Sequence, residues 1–594
     1  MVSRKKIYLL LKNNKIVIAV LLIMLVISTL NLGYRNMWVD ESINVVIGRN
    51  ITKYGVPKVW DGVNLIGASG QAPIPEYTDG LIGYKYDFLP RYLAAFAQLF
   101  GSTNFAIRFP FVIMGVISSF CFFLLVNKIT KSKFVIYSAF FLYSFSAQII
   151  IYIRVAYYYA PVLLLMNLTY LFFINYIENN KYLWLYAASL IVFYHLNHLF
   201  FGVALLSTSI TFFIFYKKNI KKFIIALSIV LASILPFVMW RNMVVAGYGG
   251  ESNFQNLNNI IMQIGAYLWN IQAYIFPYIT LFLILLLKKT WQFISRKKKV
   301  KLNDGMDTLG GKKINPYVFM FIVTILINII TISTLTYDYA SRYLLGSIPA
   351  CYILLALLIN NIFFRDTFAK NIVIILLITT NLLNVFPYYC IKALNVEENS
   401  FVSAIVKPAA PFYNVPWLAE NYSLAEYLKN ELRVENYLYE YLSNVYSDYE
   451  DSTKGIRDFF EKYGQQGDSV YVFGNNSAAV IYYTDLKLVV PDNQPDNYKY
   501  PGIDLITENE DYIDWVIVTA SGADPYTKEE LFWVNNTNYE CYVLNYYNAP
   551  CLPELWDYYF ELPNNLNRLL IYRNVKTTLP IEVDENMIVE IITQ

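Results

Sequence analysis

The sequence predicts a mainly α-helical, polytopic membrane protein with a smaller α/β domain at its C-terminal end. Three observations carry this reading. The chain has 594 residues, a mean hydropathy of +0.38 and only 15% charged residues, too apolar for a water-soluble protein of that length. Apolar runs of about 17–20 residues, long enough to cross the bilayer core, recur between residues 16 and 388. After about residue 391 the composition turns polar and rich in Tyr and Asn.

The apolar runs fall near 16–32, 110–127, 134–152, 159–177, 183–197, 199–216, 222–240, 268–288, 318–336, 344–363 and 371–388, about eleven spans. The first is preceded by Arg4, Lys5, Lys6, Lys12 and Lys15 and looks like a signal peptide. No small-residue cleavage site follows, so it is read as a retained helix. Lysines gather at alternate loops: Lys128/Lys131/Lys133, Lys181, Lys217/Lys218/Lys221/Lys222, the 288–313 run with Lys297-Lys298-Lys299, and Arg365/Lys370. The opposite loops hold single arginines, Arg154, Arg241 and Arg342. This asymmetry predicts a cytoplasmic N-terminus in a plasma or inner membrane, with 33–109 and 391–594 outside. The expected domains are therefore 1–390, transmembrane with a large first outer loop, and 391–594, extracytoplasmic.

Between the first two spans lies Trp38-Val39-Asp40-Glu41-Ser42. Asp40 reads as an N-cap. Ile43, Val46, Ile47 and Ile51 recur at helical spacing, and Gly55 with Pro57 is a stop signal. The expectation is a short amphipathic helix in the membrane interface, with two carboxylates at its start. Charges at the bilayer edge facing a water-filled cavity are functional candidates; the plainer reading is a structural cap. Arg154, His195, His198, Arg241 and Arg342 fall on the same predicted face. Each also has a plainer reading: snorkelling arginines at span ends, packed histidines, and tyrosines in an interfacial belt.

The polar tail suggests helices at 423–447 and 453–464. Strands are expected at 469–473, 479–483, 488–490, 515–519, 539–547 and 569–572. Gly474-Asn475-Asn476 reads as a turn, since no phosphate-binding glycine motif surrounds it. Five cysteines show no CxxC or zinc spacing; Cys541 and Cys551 are read either as a disulfide or as free thiols. The net charge of +3 comes without the interleaved basic and aromatic tracts of a nucleic-acid binder.

Four short stretches resemble the GT-C superfamily of polytopic glycosyltransferases that use polyprenyl-phosphate sugars, in the branch of the protein O-mannosyltransferases and the aminoarabinose transferase. They are the Trp38–Ser42 stretch with its Gly55–Pro57 ending; Leu99-Phe100-Gly101 followed by Ala106, Arg108 and Pro110; Arg154 with Ala156-Tyr157 and Tyr159-Ala160; and Arg342-Tyr343-Leu344-Leu345 followed by Pro349. The sequence departs from that group at Tyr86–Pro90, where a His-Pro-Pro-Leu is usual, and at Tyr157, where an arginine is usual. The resemblance implies a GT-C fold and transfer from a polyprenyl-phosphate-linked sugar to an acceptor glycan, lipid or protein outside the cell. A hydroxyl acceptor needs a base, and the resemblance gives that role to Asp40, with Glu41 positioning or assisting; inversion at the anomeric carbon follows if one carboxylate drives a direct displacement. Arg342, Tyr343, Arg154, Tyr157, His195, His198 and Asp87 are the candidate substrate contacts, the arginines holding the departing phosphate. Some relatives bind a divalent metal. Asp40, Glu41, Glu76, Asp79 and Asp87 are the acids at hand, but their spacing dictates no metal geometry. The alternative from another class is a transporter or flippase of a lipid-linked glycan or other anionic solute, for which inverted repeats are expected and not apparent.

Overall fold

The computed structural model describes residues 14–64, 88–216, 220–244, 257–294, 315–335, 340–364, 366–393, 436–446, 450–473, 477–491, 505–506, 513–518, 538–547 and 568–593. A helical bundle comes first. It contains α1 (Lys15–Thr29), α2 (Val39–Tyr54), α3 (Phe88–Phe100), α4 (Asn104–Ile129), α5 (Lys133–Ser144), α6 (Ala147–Ile153), α7 (Tyr159–Glu178) and α8 (Leu183–Leu196). It continues with α9 (His198–Phe215), α10 (Ile220–Val244), α11 (Leu257–Asn270), α12 (Tyr278–Ile294), α13 (Pro316–Leu335), α14 (Ile348–Ile362), α15 (Thr367–Thr379) and α16 (Leu382–Ala393).

Each of the eleven predicted stretches falls on helix. Among the described residues, five helices are long and apolar enough to cross a membrane, or seven if each of two bent pairs is one span; α1, α14 and α15 are apolar but shorter. Many large apolar side chains point outward, as on α10, where Ile225, Leu231 and Leu235 are more than half exposed. Such a surface is stable against lipid rather than water. Inside, hydroxyls and amides link helices. Asn167 donates to the Ser118 and Tyr143 hydroxyls at 3.0 and 3.1 Å, and Tyr170 pairs with Thr324 at 2.9 Å. Small-residue contacts serve the same end: a Cβ on Gly115 of α4 would lie 2.4 Å from Ile153 of α6.

Three predicted spans are broken. The 134–152 stretch bends by 52° between α5 and α6. Ser146 caps α6 and accepts a 2.7 Å bond from the Tyr352 hydroxyl of α14. The 268–288 stretch bends by 77°, where a π-turn at Ile271–Ile275 precedes Pro277. Proline lacks the amide hydrogen that would continue the ladder and restricts the residue before it. The 371–388 stretch is interrupted between Thr379 and Leu382. The freed backbone groups are re-satisfied locally. Gln272 donates to the Asn384 carbonyl, Asn384 returns a bond to the Gln272 carbonyl, and Gln272 Oε1 accepts from Ile279 N–H, all within 3.0 Å. This is the condition for irregular backbone at membrane depth. A cavity of about 60 Å³, lined partly by Ser146, Tyr352, Asn381 and Asn384, lies where the three breaks meet.

The second part is a small mixed α/β unit. Helix α17 (Tyr437–Val445) leads to α18 (Ser452–Tyr463), β1 (Ser469–Phe473), α19 (Ser477–Tyr483), β2 (Lys487–Leu488), β3 (Val490–Pro491) and β4 (Leu505–Ile506). Strands β5 (Trp515–Val518), β6 (Tyr539–Tyr547), β7 (Arg568–Asn574) and β8 (Ile588–Thr593) complete it. The six-stranded sheet has the order β2-β1-β5-β7-β6-β8, parallel through β2, β1 and β5 and antiparallel beyond. Trp515 is its central core residue. The rings of Phe459 and Phe460 stand edge-on to it at 5.6 and 5.4 Å, and its indole N–H donates to Asp468 at 2.9 Å. Residues 479–483, expected as a strand, belong to helix α19, because a short apolar run carries no decisive period. Cys541 is a free, buried thiol on β6. Cys551, Gly474-Asn475-Asn476 and Lys297-Lys298-Lys299 lie outside the described residues.

Candidate active site

Helix α2 is set differently from expectation. Its N-cap is Trp38, in extended conformation, and Asp40 sits inside the first turn, where an acid favours the helix dipole. The expected stop is present: Gly55 has φ +77°, a left-handed conformation that glycine adopts without steric cost. The helix is not an amphipathic surface element. Glu41, Ser42, Asn44, Val45, Val46, Ile47, Gly48 and Asn50 are all buried. A Cβ on Gly48 would lie 3.1–3.3 Å from α3 backbone and from Leu93, so glycine lets the two helices approach closely.

The two adjacent carboxylates have different environments. Glu41 is fully buried, and both of its oxygens are engaged. Arg108 Nε and Nη2 donate to them at 2.7 Å each, and the Ala156 N–H donates to Oε1 at 2.8 Å. Arg108 spends its remaining donors on the carbonyls of Leu32, Arg35 and Asn36 at 3.1, 2.8 and 3.0 Å. This fork, in the bidentate geometry that guanidinium suits, joins α2, α4, the 32–36 segment and the 154–158 turn. Asp40 is half-buried, and among the described residues its carboxylate makes no hydrogen bond.

Arg342 lies on a 3₁₀ turn, Ser341–Leu344, that leads into α14. Its guanidinium lies 5.7 Å from the Trp38 ring and 5.4 Å from the Tyr343 ring, the range of cation–π attraction. Tyr157 meets Trp38 edge-on at 5.7 Å and packs with Tyr158 and Tyr159. The Tyr152 hydroxyl bonds Ser341, tying α6 to the Arg342 turn. Trp38 is thus the shared neighbour of Arg342 and Tyr157, two residues ahead of Asp40.

Arg154 is built into the frame. Its Nη1 donates to the carbonyls of Ile27, Ser28 and Leu30, at 3.2, 3.1 and 2.7 Å, capping the C-terminal end of α1. Its Nε donates to the Tyr441 hydroxyl at 2.9 Å, on α17. His195 and His198 fall on separate helices, because Asn197 ends α8 and its side chain caps α9. The His195 ring meets Phe237 and Tyr194 edge-on at 5.0 and 5.5 Å; His198 is exposed at the start of α9. Glu76, Asp79 and Asp87 lie outside the described residues, as does the Arg241 side chain. Among the described residues no three His, Cys, Asp or Glu side chains gather as a metal site, and the Glu41 carboxylate is already taken by Arg108. Arg108 was visible in sequence only as one letter of a motif. Trp38 was likewise only a letter of a motif, and Tyr441 lies 287 residues from Arg154. Among these, an arginine at the start of an apolar run was the one available signal.

The profile of the family described as dolichyl-phosphate-mannose-protein mannosyltransferase matches residues 88–240. Among solved structures, ArnT from Cupriavidus metallidurans in its apo state is similar over 96% of this chain and 100% of that one, at 11% identity and a TM-score of 0.52. The same ArnT bound to undecaprenyl phosphate matches with the same coverage and identity and a TM-score of 0.51. No curated protein matches the sequence. The fold is that of the GT-C membrane glycosyltransferases, and the chain is a multi-pass membrane protein. Within that class it resembles the protein mannosyltransferase and ArnT branch.

Proposed function

We propose that this chain transfers a sugar from a polyprenyl-phosphate donor to an acceptor hydroxyl or amine at the extracytoplasmic face of the cell membrane. The family profile and the GT-C fold support the reaction class. The observation that carries the assignment of roles is the division of labour between the paired acids. Glu41 is locked by Arg108 and the Ala156 N–H, whereas Asp40 is half-buried with no hydrogen bond from its carboxylate to the described residues, two residues after Trp38, whose ring Arg342 covers.

Asp40 accepts the acceptor's proton as its oxygen or nitrogen attacks the anomeric carbon. The bond to the phosphate oxygen breaks on the far side, so one displacement inverts the anomeric configuration. Arg342 holds the departing phosphate by charge-assisted hydrogen bonds, and Trp38, Tyr157 and Tyr343 shape the space between. Glu41 and Arg154 position the elements around the site and do not touch substrate. The Lys-rich loops support a site on the side opposite the cytosol.

Mass spectrometry of lipid-linked sugars and glycoconjugates, from cells with and without the gene, tests this. The expected result is accumulation of one polyprenyl-linked sugar with loss of one glycoconjugate. Unchanged pools of both overturn the reading.

A further inference from the structure

The segment that delivers Trp38 and Asp40 is held from two sides, by Arg108 and Asn104 of the bundle and by the C-terminal sheet unit. Helix α19 ends in Tyr482-Tyr483, two rings crossed at 4.6 Å. The Tyr483 hydroxyl accepts the Met37 N–H at 2.7 Å, and the Asn104 amide at the start of α4 donates to the same oxygen at 3.2 Å. Asn104 also donates to the Arg35 carbonyl at 3.2 Å. Tyr482 donates to the Ser102 carbonyl at 2.9 Å, and the Arg49 guanidinium of α2 lies 4.1 Å from its ring. From α18, Arg457 donates to Asn36 Oδ1 at 2.8 Å; from Asn31, a 2.7 Å bond reaches the Val445 carbonyl of α17. The bonds of Tyr483, Asn104, Arg457 and Val445 fall within residues 31–37, one peptide short of the cap of α2, while those of Tyr482 reach Ser102 and Arg49.

We propose that Tyr483 is a positioning residue for this site, through which the sheet unit sets the start of α2 and the aim of the Asp40 carboxylate. The inference rests on the reading of Asp40 as the base. Its physical logic is that of a hydrogen bond made at the hinge. Met37 is buried, so its N–H must find an acceptor, and the acceptor comes from a residue 446 positions away. The phenol is suited to the place. Burial pushes its pKa up to about 12, so it stays neutral, accepting from Met37 while its own proton reaches Asn104 Oδ1 at 3.4 Å. Removing that oxygen leaves the Met37 N–H and one Asn104 donor without a partner and frees the peptide before the cap. Catalysis is sensitive to displacements of about 1 Å.

The test uses the full chain in nanodiscs, comparing wild type with Tyr483→Phe, Arg457→Ala and Asp40→Asn. The donor is the polyprenyl-linked sugar fraction extracted from cells lacking the gene, and undecaprenyl phosphate is the competing probe. Three readouts are taken: turnover, inhibition by undecaprenyl phosphate, and hydrogen exchange of peptides covering 35–42. For Tyr483→Phe the expected result is exchange about tenfold faster in 35–42 and turnover about tenfold lower. The inhibition constant should stay within about twofold of wild type. Arg457→Ala should show the same pattern more weakly. Unchanged exchange and turnover overturn the proposal, as does a loss of turnover that tracks a collapse of melting temperature or of probe affinity. The two readings separate cleanly. An inert Tyr483→Phe beside a dead Asp40→Asn rejects positioning and keeps the base. A damaged Tyr483→Phe beside a fully active Asp40→Asn rejects the base and leaves the clamp on α2.

Discussion

Two neighbouring acids, Asp40 and Glu41, show how far environment separates like residues. Glu41 owes its place to Arg108, which satisfies it with two bonds while also bonding three backbone carbonyls. A buried ion pair of this kind contributes modestly as a whole, but losing one partner strands the other charge. Arg108→Ala should therefore destabilise the chain by about 3–5 kcal/mol, seen as a fall in melting temperature and yield in detergent. A variant of wild-type stability would contradict the structural role given to the pair. Asp451, outside the membrane, gives a pH-dependent counterpart. Burial pushes its pKa up to about 6, against the lowering pull of the Lys454 N–H it caps and of Arg35 and Arg457. An acid whose folded pKa is raised binds its proton more tightly when folded. Stability is therefore lost as pH rises from about 4 to about 6. Asparagine caps a helix as well as aspartate. Asp451→Asn should match wild type near pH 4 and exceed it at pH 7.5, by no more than about 3 kcal/mol. Thermal melts at the two pH values check this, and an equal or lower melting temperature at pH 7.5 would contradict it.

At the scale of elements, the helices are where the sequence was most readable. Apolar runs of span length found helix at every expected place, and Gly55 ended α2 as its position predicted. What stayed hidden were breaks and partners. Pro277 was a visible cause of the 77° bend, yet the apolar run masked it. The breaks at Ser146 and Thr380 depend on Tyr352, Gln272 and Asn384, which meet them only in three dimensions. The start of α2 was misjudged by two residues because Asp40 resembles a cap, whereas Trp38 takes that place and leaves Asp40 in the first turn. Residues 479–483 were taken for a strand, since five apolar residues fit either period. Of the candidate residues, Arg342 and Tyr157 meet at the Trp38 ring, and Tyr343 lies against Arg342. Glu41 was read as assisting the base and Arg154 as a substrate contact or a snorkelling arginine. Their occupation as clamps depends on Tyr441, the α1 carbonyls, Arg108 and Ala156, contacts no local pattern encodes.

At the scale of the whole molecule, the chain joins a lipid-facing bundle to a sheet unit that reaches back onto the segment before α2. The bundle supplies the Arg342 turn and the tyrosines of the 154–158 turn; the sheet unit supplies Tyr483, Arg457 and Tyr441. The proposed sugar transfer needs both parts held in register, and residues 31–37, just before α2, are where their hydrogen bonds meet. The central claim is that Asp40 takes the acceptor's proton there. The most direct measurement is single-turnover release of polyprenyl phosphate by purified full-length Asp40→Asn, with the lipid-linked sugar fraction from cells lacking the gene as donor. The account predicts a rate at least about a hundredfold below wild type, with undecaprenyl phosphate binding and melting temperature unchanged. Turnover at the wild-type rate in that variant would contradict it.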